Sequence, residues 1–150
     1  SAATFTIADV TGPTTSANAT TVILDANGDF TLTPLSLAAS ASDNCSSSMT
    51  FELSKDDTNW SSTLSYDCSD LGSNTVYVRA SDGTNEGAGV SVTLTVQDLT
   101  GPTVTGSAGN LVLDAAGAVT MTASDVSAVA SDNCSVSTTI ELSHDQSTWA

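Results

Sequence analysis

Basic side chains are almost absent from this sequence. Lys55 and Arg79 are the only Lys or Arg residues, against seventeen acidic side chains, and the formal net charge is −15. Proteins that bind nucleic acids or anionic membranes neutralise phosphates with Lys and Arg. The composition therefore excludes both kinds of partner. It favours solubility and the capture of divalent cations.

Long apolar runs and catalytic motifs are also missing. No stretch approaches the roughly 20 apolar residues that a membrane-spanning helix needs, so we expect no membrane insertion in this segment. The sequence contains no nucleophile elbow, zinc-protease motif, phosphate-binding glycine loop or dinucleotide fingerprint. We therefore predict that the chain is not an enzyme.

Strong helix formers are scarce, whereas Ser and Thr account for 48 of the 150 residues. Apolar and polar residues alternate with period two in Val90–Val96, Val76–Ala80 and Phe30–Leu32. This alternation is typical of half-buried strands. Turn-forming residues separate them, as in Asp82–Asn85. The sequence predicts an all-β fold.

The chain repeats itself at a fixed offset of 89 residues. Asp9–Pro13 returns as Asp98–Pro102, and Ser42–Ser46 returns as Ser131–Ser135. Aligning residues 9–61 with residues 98–150 gives 26 identities in 53 positions. Self-similarity of this kind is typical of stacked structural units. The single histidine, His144, takes the place of Lys55, so we expect it to face solvent.

The offset predicts the domain boundaries. Residues 4–7 align with residues 93–96, so residues 1–8 are expected to be the last strand of a preceding repeat. Residues 9–97 form one complete repeat, and residues 98–150 form an incomplete following one. We therefore expect the chain to be a window from a longer array.

Short strands in units of this length predict tandem immunoglobulin-like antiparallel β-sandwiches. In that topology the linker at Asp9–Pro13, the crossing at Asp43 and the hairpin at Asp82 meet at one end of each sandwich, which we call the linker pole. The Asn27-Gly28 hairpin lies at the opposite end, the far pole.

Oxygen ligands from three loops are therefore expected to meet at the linker pole. Asp9, Asp43, Asn44 and Asp82 offer carboxylate and carbonyl oxygens, the ligands that Ca²⁺ prefers. Asp98, Asp132 and Asn133 supply the matching ligands in the next repeat. The alternative is that Asp43 and Asp132 only form turns, while Asp9 and Asp98 are solvated linker residues.

Trp60 and Trp149 occupy equivalent positions after the Glu-Leu-Ser strand. Each is expected either to cover a sheet edge or to act as a ligand or packing contact. The second role includes a stacking platform for sugars and a lateral contact in a fibre.

The motif set resembles the HYR-like repeats of large bacterial surface proteins. The motifs are Asp-x-Thr-Gly-Pro, Leu-Asp-Ala-Asn-Gly, Ser-Asp-Asn-Cys, Tyr-Asp-Cys-Ser-Asp-Leu-Gly-Ser-Asn-Thr-Val and Ala-Ser-Asp-Gly. Such repeats are similar to immunoglobulin-like and PKD-type modules, and they occur in tandem in adhesins and surface filaments of the Bacteroidetes. The resemblance implies a secreted, extracellular location on the bacterial surface and a role mainly as a spacer.

The resemblance also bears on the cysteines. Many family members have two further cysteines, at the places of Ala17 and Val90 here, and their joint absence implies that the remaining bond joins Cys45 to Cys68. The alternatives are a bond between repeats, from Cys68 to Cys134, and a free reactive thiol.

Two functions are expected on these grounds. The first is a structural segment of an extracellular tandem-repeat fibre, stalk or adhesin, with calcium-stiffened joints, a disulfide in each repeat, and neighbouring repeats or identical chains as partners. The second is a carbohydrate- or protein-binding module that presents its loops or tryptophans to a glycan or cell-surface ligand and serves cell adhesion.

Overall fold

The structure, a computed structural model, describes residues 3–135 and 137–149. It is all-β with several sheets, as predicted, and is consistent with a β-sandwich. The chain divides into two compact units, Ser1–Leu99 and Thr100–Ala150. The strands are β1 (Thr14–Ser16), β2 (Thr20–Ile23), β3 (Asp29–Leu32), β4 (Ser40–Ser42), β5 (Thr50–Ser54), β6 (Leu64–Asp67), β7 (Gly72–Ser81), β8 (Val90–Gln97), β9 (Thr103–Thr105) and β10 (Val129–Ser131).

Among the described residues, three 3-10 turns accompany these strands, at Pro34–Leu37, Cys68–Asp70 and Ala123–Val126. Within residues 3–135 and 137–149, no helical segment is long and apolar enough to cross a membrane.

The largest sheet of the first unit has the strand order β2-β8-β7-β5. Strands β7 and β8 pair in antiparallel fashion over seven residue pairs, and β5 pairs with β7 in the same sense. Strand β2 runs parallel to β8, from Thr20 opposite Leu94 to Ile23 opposite Gln97. The expectation of a purely antiparallel sandwich is therefore wrong for this pair. The two strands are separated by most of the unit, so no hairpin forces them to run in opposite directions.

Two smaller sheets complete the first unit. Strand β1 pairs with β4, and β3 pairs with β6, both in antiparallel fashion. Leu32 of β3 and Tyr66 of β6 are almost fully buried. The residues of the larger sheet that are buried with them are Val22, Leu53, Val76, Val78, Ala80, Leu94 and Val96.

Strand β7 explains why the core forms where it does. Val76, Val78 and Ala80 are fully buried, while Tyr77 and Arg79 between them are half-buried. Successive side chains of a strand point to opposite faces. The alternating residues that predicted this strand therefore divide into a core face and an outer face.

The second unit repeats local features of the first at the same offset. Strands β9 and β10 pair with Thr103 opposite Ser131, as β1 and β4 pair with Thr14 opposite Ser42. The turn at Ala123–Val126 ends in a left-handed Ser127 with φ 48°, and the turn at Pro34–Leu37 ends in a left-handed Ala38 with φ 47°.

The packing of the two units differs. Leu113 is 60% exposed and Met121 is 44% exposed, whereas the equivalent Leu24 and Leu32 are 2% and 0% exposed. Residues 3–8 form no strand in the structure, and Phe5 and Ile7 are exposed. The assignment of these residues to a preceding repeat stays a prediction.

A tight turn after β5 is held by a single carboxylate. Asp56 Oδ1 accepts hydrogen bonds from Ser54 Oγ (2.9 Å), Thr58 N (2.9 Å) and Asn59 N (2.8 Å). The Asn59 side chain donates a further bond to Asp56 Oδ2. These donors, led by the N–H of Asn59, hold the pKa of Asp56 well below its ordinary value.

We expect this turn to make stability sensitive to acid. Because the pKa of Asp56 is lowered on folding, its stabilising effect is present above the unfolded pKa and is lost as the pH falls through the folded pKa. The free energy of unfolding should therefore fall less between neutral pH and about pH 2.5 in Asp56→Asn than in the natural chain. Urea unfolding at the two pH values measures this difference.

The matched control is Asp29→Asn, which removes one exposed carboxylate elsewhere in the first unit. It should keep the acid sensitivity of the natural chain. An Asp56→Asn variant that loses as much stability in acid as the natural chain would contradict the assignment.

A candidate metal centre at the linker pole

Three carboxylates meet at the linker pole of the first unit. The structure places one oxygen each of Asp9, Asp43 and Asp82 within 4.8 Å of the others. Asp9 lies in the segment before β1, Asp43 follows β4, and Asp82 follows β7. Within residues 3–135 and 137–149, this is the one group of three or more acidic, Cys or His side chains that could hold a metal ion.

Each carboxylate is held in place by its own loop. One oxygen of each caps nearby backbone N–H groups, as Asp and Asn commonly do in turns. These bonds run to Asp9 Oδ1 from Thr11 N (3.0 Å), to Asp43 Oδ2 from Cys45 N (2.7 Å) and Ser46 N (3.0 Å), and to Asp82 Oδ1 from Thr84 N and Asn85 N (both 2.7 Å).

The second oxygen of Asp43 has a different environment. Asp43 Oδ1 is buried and accepts no hydrogen bond from the described residues. A buried carboxylate oxygen without a donor is costly, because it has lost its water without replacement. Such an oxygen beside two further carboxylates fits the donor set of a hard divalent cation.

The charges of the cluster also affect its neighbours. The N–H groups of Asn85 and Thr84 lower the pKa of Asp82, so this carboxylate is charged at neutral pH. Desolvation, followed by the negative charges of Asp9 and Asp43, raises the pKa of the Cys45 thiol. The linker pole is therefore a site of concentrated negative charge.

Asn85 ties the linker to the hairpin, a role that the sequence analysis missed. Its Nδ2 donates to the backbone oxygen of Asp9 at 3.2 Å and lies 3.4 Å from Asp82 Oδ2. The turn motif Asp82–Asn85 was visible in the sequence. The contact with Asp9 was not, because it joins residues 76 positions apart in the chain.

Two glycines let the linker lie directly against the hairpin backbone. A Cβ on Gly12 would overlap the carbonyl oxygen of Glu86, and a Cβ on Gly87 would overlap that of Pro13. Pro13 itself is buried. The linker is therefore packed as part of the first unit, and this packing places Asp9 beside Asp43 and Asp82.

The other predicted ligands lie as follows. Asn44 is exposed, and its Nδ2 lies 3.2 Å from Cys45 Sγ. Asp132 Oδ1 accepts hydrogen bonds from Cys134 N and Ser135 N, so it forms the same turn as Asp43. Asp98, Asp132 and Asn133 contribute to no second acidic cluster of three among the described residues. Their role as ligands stays a prediction.

The cysteine pairing differs from the expected one. Cys45 is exposed and carries a free thiol, so the Cys45–Cys68 disulfide is not formed. The disulfide-bonded cysteines of the described residues are Cys68 and Cys134.

The strand order explains why Cys45 and Cys68 do not pair. Cys45 adjoins Asp43 at the linker pole, while Cys68 Sγ lies 3.8 Å from the carbonyl oxygen of Gly28 at the far pole. The ten-residue strand β7 runs between these poles. At about 3.3 Å per residue it spans roughly 30 Å. A disulfide requires Cα atoms about 4.4–6.8 Å apart.

Trp60 lies against the outer face of the larger sheet. The guanidinium carbon of Arg79 is 4.4 Å from the centre of the Trp60 ring. Arg79 also forms ion pairs with Glu52 (2.7 Å) and Glu86 (2.6 Å). One ring face of Trp60 is therefore occupied by the protein's own cation and is closed to a sugar. Trp149 is 55% exposed.

Comparison of the chain with protein-family models, curated proteins and solved structures gives no match. The interpretation of the linker pole therefore rests on its own geometry and on the repeated sequence.

The glycine packing generates a prediction with an internal control. Gly12→Ala forces the linker away from the hairpin and should lower the free energy of unfolding by about 1–3 kcal/mol. Gly101→Ala makes the same change in the second copy of the motif, where no described atom lies within 4 Å of the new Cβ. It should leave stability unchanged or slightly raised.

Urea unfolding followed by tryptophan fluorescence compares the two variants. Equal stability of Gly12→Ala and Gly101→Ala would show that the linker is not packed against the hairpin.

Proposed function

We propose that this chain is a structural segment of an extracellular tandem-repeat fibre, stalk or adhesin, and that Ca²⁺ at Asp9, Asp43 and Asp82 stiffens the joint before the first unit. The meeting of these three carboxylates is the observation that carries the proposal. Neighbouring repeats of the same polypeptide are the partners.

The repeated sequence supports the array. Residues 98–150 repeat residues 9–61 without insertion or deletion. Strands β9 and β10 pair in the same register as β1 and β4. An array of units that contact only their neighbours gains length by adding copies. The resemblance to HYR-like surface repeats is in keeping with this role.

The composition supports the extracellular setting. The chain carries one disulfide, and disulfides persist mainly in oxidising compartments. Its charge of −15 keeps a long repetitive protein soluble and leaves it no surface for nucleic acid.

Calcium suits the donor set at the linker pole. Ca²⁺ takes about six to eight oxygen ligands, mixes carboxylates with carbonyls and water, and tolerates irregular geometry. Asp9, Asp43 and Asp82 would supply the carboxylates. A divalent charge there removes the repulsion among the three side chains and gives Asp43 Oδ1 a partner. Because Asp9 belongs to the linker, the ion fixes the direction in which the chain reaches the sandwich.

The calcium proposal predicts that Asp43→Asn affects stability differently with and without calcium. Asp43→Asn keeps an oxygen that can accept the Cys45 and Ser46 N–H bonds, but it removes one negative charge from the cluster. In excess EDTA the variant should be as stable as the natural chain or more stable, because repulsion is reduced. With calcium at one hundred times Kd the natural chain should gain about 2.7 kcal/mol, and the variant should gain little.

Thermal unfolding with calcium and with EDTA measures both effects, and direct calorimetry with Ca²⁺ measures Kd. Asp29→Asn serves as the control of equal charge, and it should respond to calcium as the natural chain does. A natural chain whose melting temperature is the same in calcium and in EDTA would refute the calcium part of the proposal.

The extracellular fibre role has its own test. Antibodies raised against the chain should label intact, unpermeabilised cells of the organism that produces it, and immunogold particles should follow surface filaments. Labelling that appears only after permeabilisation would refute this role whatever the result with calcium.

A further inference from the structure

Residues 3–8 have the sequence pattern of a strand, but they form no strand in the structure. Phe5 and Ile7 alternate with Thr4 and Thr6, which is the period of a half-buried strand. Phe5 is 87% exposed and Ile7 is 97% exposed, so neither side chain contributes to a core. We call residues 3–8 the donor segment.

The donor segment resembles the end of β8. At the offset of 89 residues, Phe5 takes the place of Leu94, and Ile7 takes the place of Val96. The two threonines of the donor segment are identical to those of β8. In β8 the two apolar side chains are buried, and the strand pairs in parallel with β2. The donor segment therefore has the side chains needed to cover a segment of the β2 type.

The second unit contains such a segment. Residues 109–113 align with residues 20–24, which include β2. Among the described residues, residues 109–113 form no strand and no backbone–backbone hydrogen bond. Leu111 and Leu113 are exposed, whereas the equivalent Val22 and Leu24 are buried. An unpaired backbone edge beside exposed apolar side chains is a template for an added strand. We call residues 109–113 the acceptor edge.

The two flanks of the acceptor edge are held as the flanks of β2 are. Before the edge, the N–H of Ser107 donates to the carbonyl oxygen of Val126 at 2.8 Å. After the edge, the N–H of Asp114 donates to the carbonyl oxygen of Ala118 at 2.8 Å. The two equivalent bonds of the first unit, at the same offset, both measure 2.9 Å. Because both ends of the edge are already fixed, less backbone must be ordered when a strand binds there.

We propose that the donor segment of one molecule adds to the acceptor edge of a second molecule of this chain as a parallel strand. In the register of β2 and β8, Phe5 lies opposite Gly109, and Ile7 lies opposite Leu111. Main-chain hydrogen bonds supply the pairing, and the alternating apolar side chains set its register.

The contact can be repeated from molecule to molecule. The donor segment is followed by the linker motif Asp9–Pro13, and β8 is followed by the same motif at Asp98–Pro102. Strand addition therefore joins two molecules through the sequence that joins the two units within one chain. Since donor and acceptor are different surfaces, the contact is heterologous and builds assemblies longer than a dimer. The inference goes beyond the proposed function, because it requires neither calcium nor a cell surface.

Sedimentation velocity of the full chain over a series of concentrations tests the inference. EDTA prevents bridging by divalent cations, and about 1 M NaCl reduces the Debye length to about 3 Å, which screens the charge of −15. Iodoacetamide blocks the free thiol of Cys45, so that no disulfide links two molecules through it. The mean mass should rise with concentration above the 15.0 kDa of one chain.

Two variants locate the contact. Ile7→Asp places a charge in the donor segment, and Leu111→Asp places one in the acceptor edge. Each variant alone should stay at the mass of one chain. An equimolar mixture should form dimers and nothing larger, because it contains one intact donor and one intact acceptor. The control Leu35→Asp adds the same charge at an exposed leucine outside both segments, and it should associate as the natural chain does.

A natural chain that stays at the mass of one chain at every concentration would overturn the inference. Association that survives both Ile7→Asp and Leu111→Asp would do the same, as would a mixture that forms no dimer. The mixture stays decisive even if Leu111→Asp disturbs its own second unit, because the donor segment of that variant is unchanged. None of these results bears on the calcium or surface-labelling tests, so the two proposals fail separately.

Discussion

The antiparallel pairing of β7 with β8 is the constraint on which the first unit depends. Strand β7 is the longest strand of the described residues. It pairs with β5 on one side and with β8 on the other, and it buries every second side chain from Val76 to Ala80. Strand β8 in turn pairs with β2 on its other side. The same strand fixes the two poles, because its end at Ser81 leads into the Asp82 hairpin and its start at Gly72 follows the turn that contains Cys68.

Much of this was predictable from residue order alone. Period-two alternation located β3, β7 and β8, because a half-buried strand imprints its two faces on the sequence. The proximity of Asp9, Asp43 and Asp82 followed from counting strands between turns, because each strand takes the chain from one pole of the sandwich to the other. Whether an ion joins these carboxylates is a chemical question that strand order does not answer.

The failures involve contacts between residues far apart in the chain. The parallel sense of β2 and β8 could not be predicted, because the long connection between them permits either direction. The Cys45–Cys68 pairing was expected from the resemblance. The strand count places the Asp43 crossing, and with it Cys45, at the linker pole. Cys68 lies beside Gly28 at the far pole. The contact of Asn85 with Asp9 was not predicted, because the turn motif Asp82–Asn85 already accounted for Asn85. A hydrogen bond to the backbone oxygen of Asp9 leaves no pattern in the sequence.

The ion pairs of the first unit have a consequence for chains that lie side by side in the proposed fibre. Lys55 is paired with Asp70, and Arg79 with Glu52 and Glu86, so both Lys/Arg side chains of the sequence are already engaged within their own unit. Neither side chain is available to form an ion pair with a carboxylate of a neighbouring chain. Two such surfaces repel each other over a Debye length of about 8 Å at physiological ionic strength. In the proposed fibre, lateral bundling of chains would then require mobile counterions, and the spacing between chains would depend on the salinity of the medium.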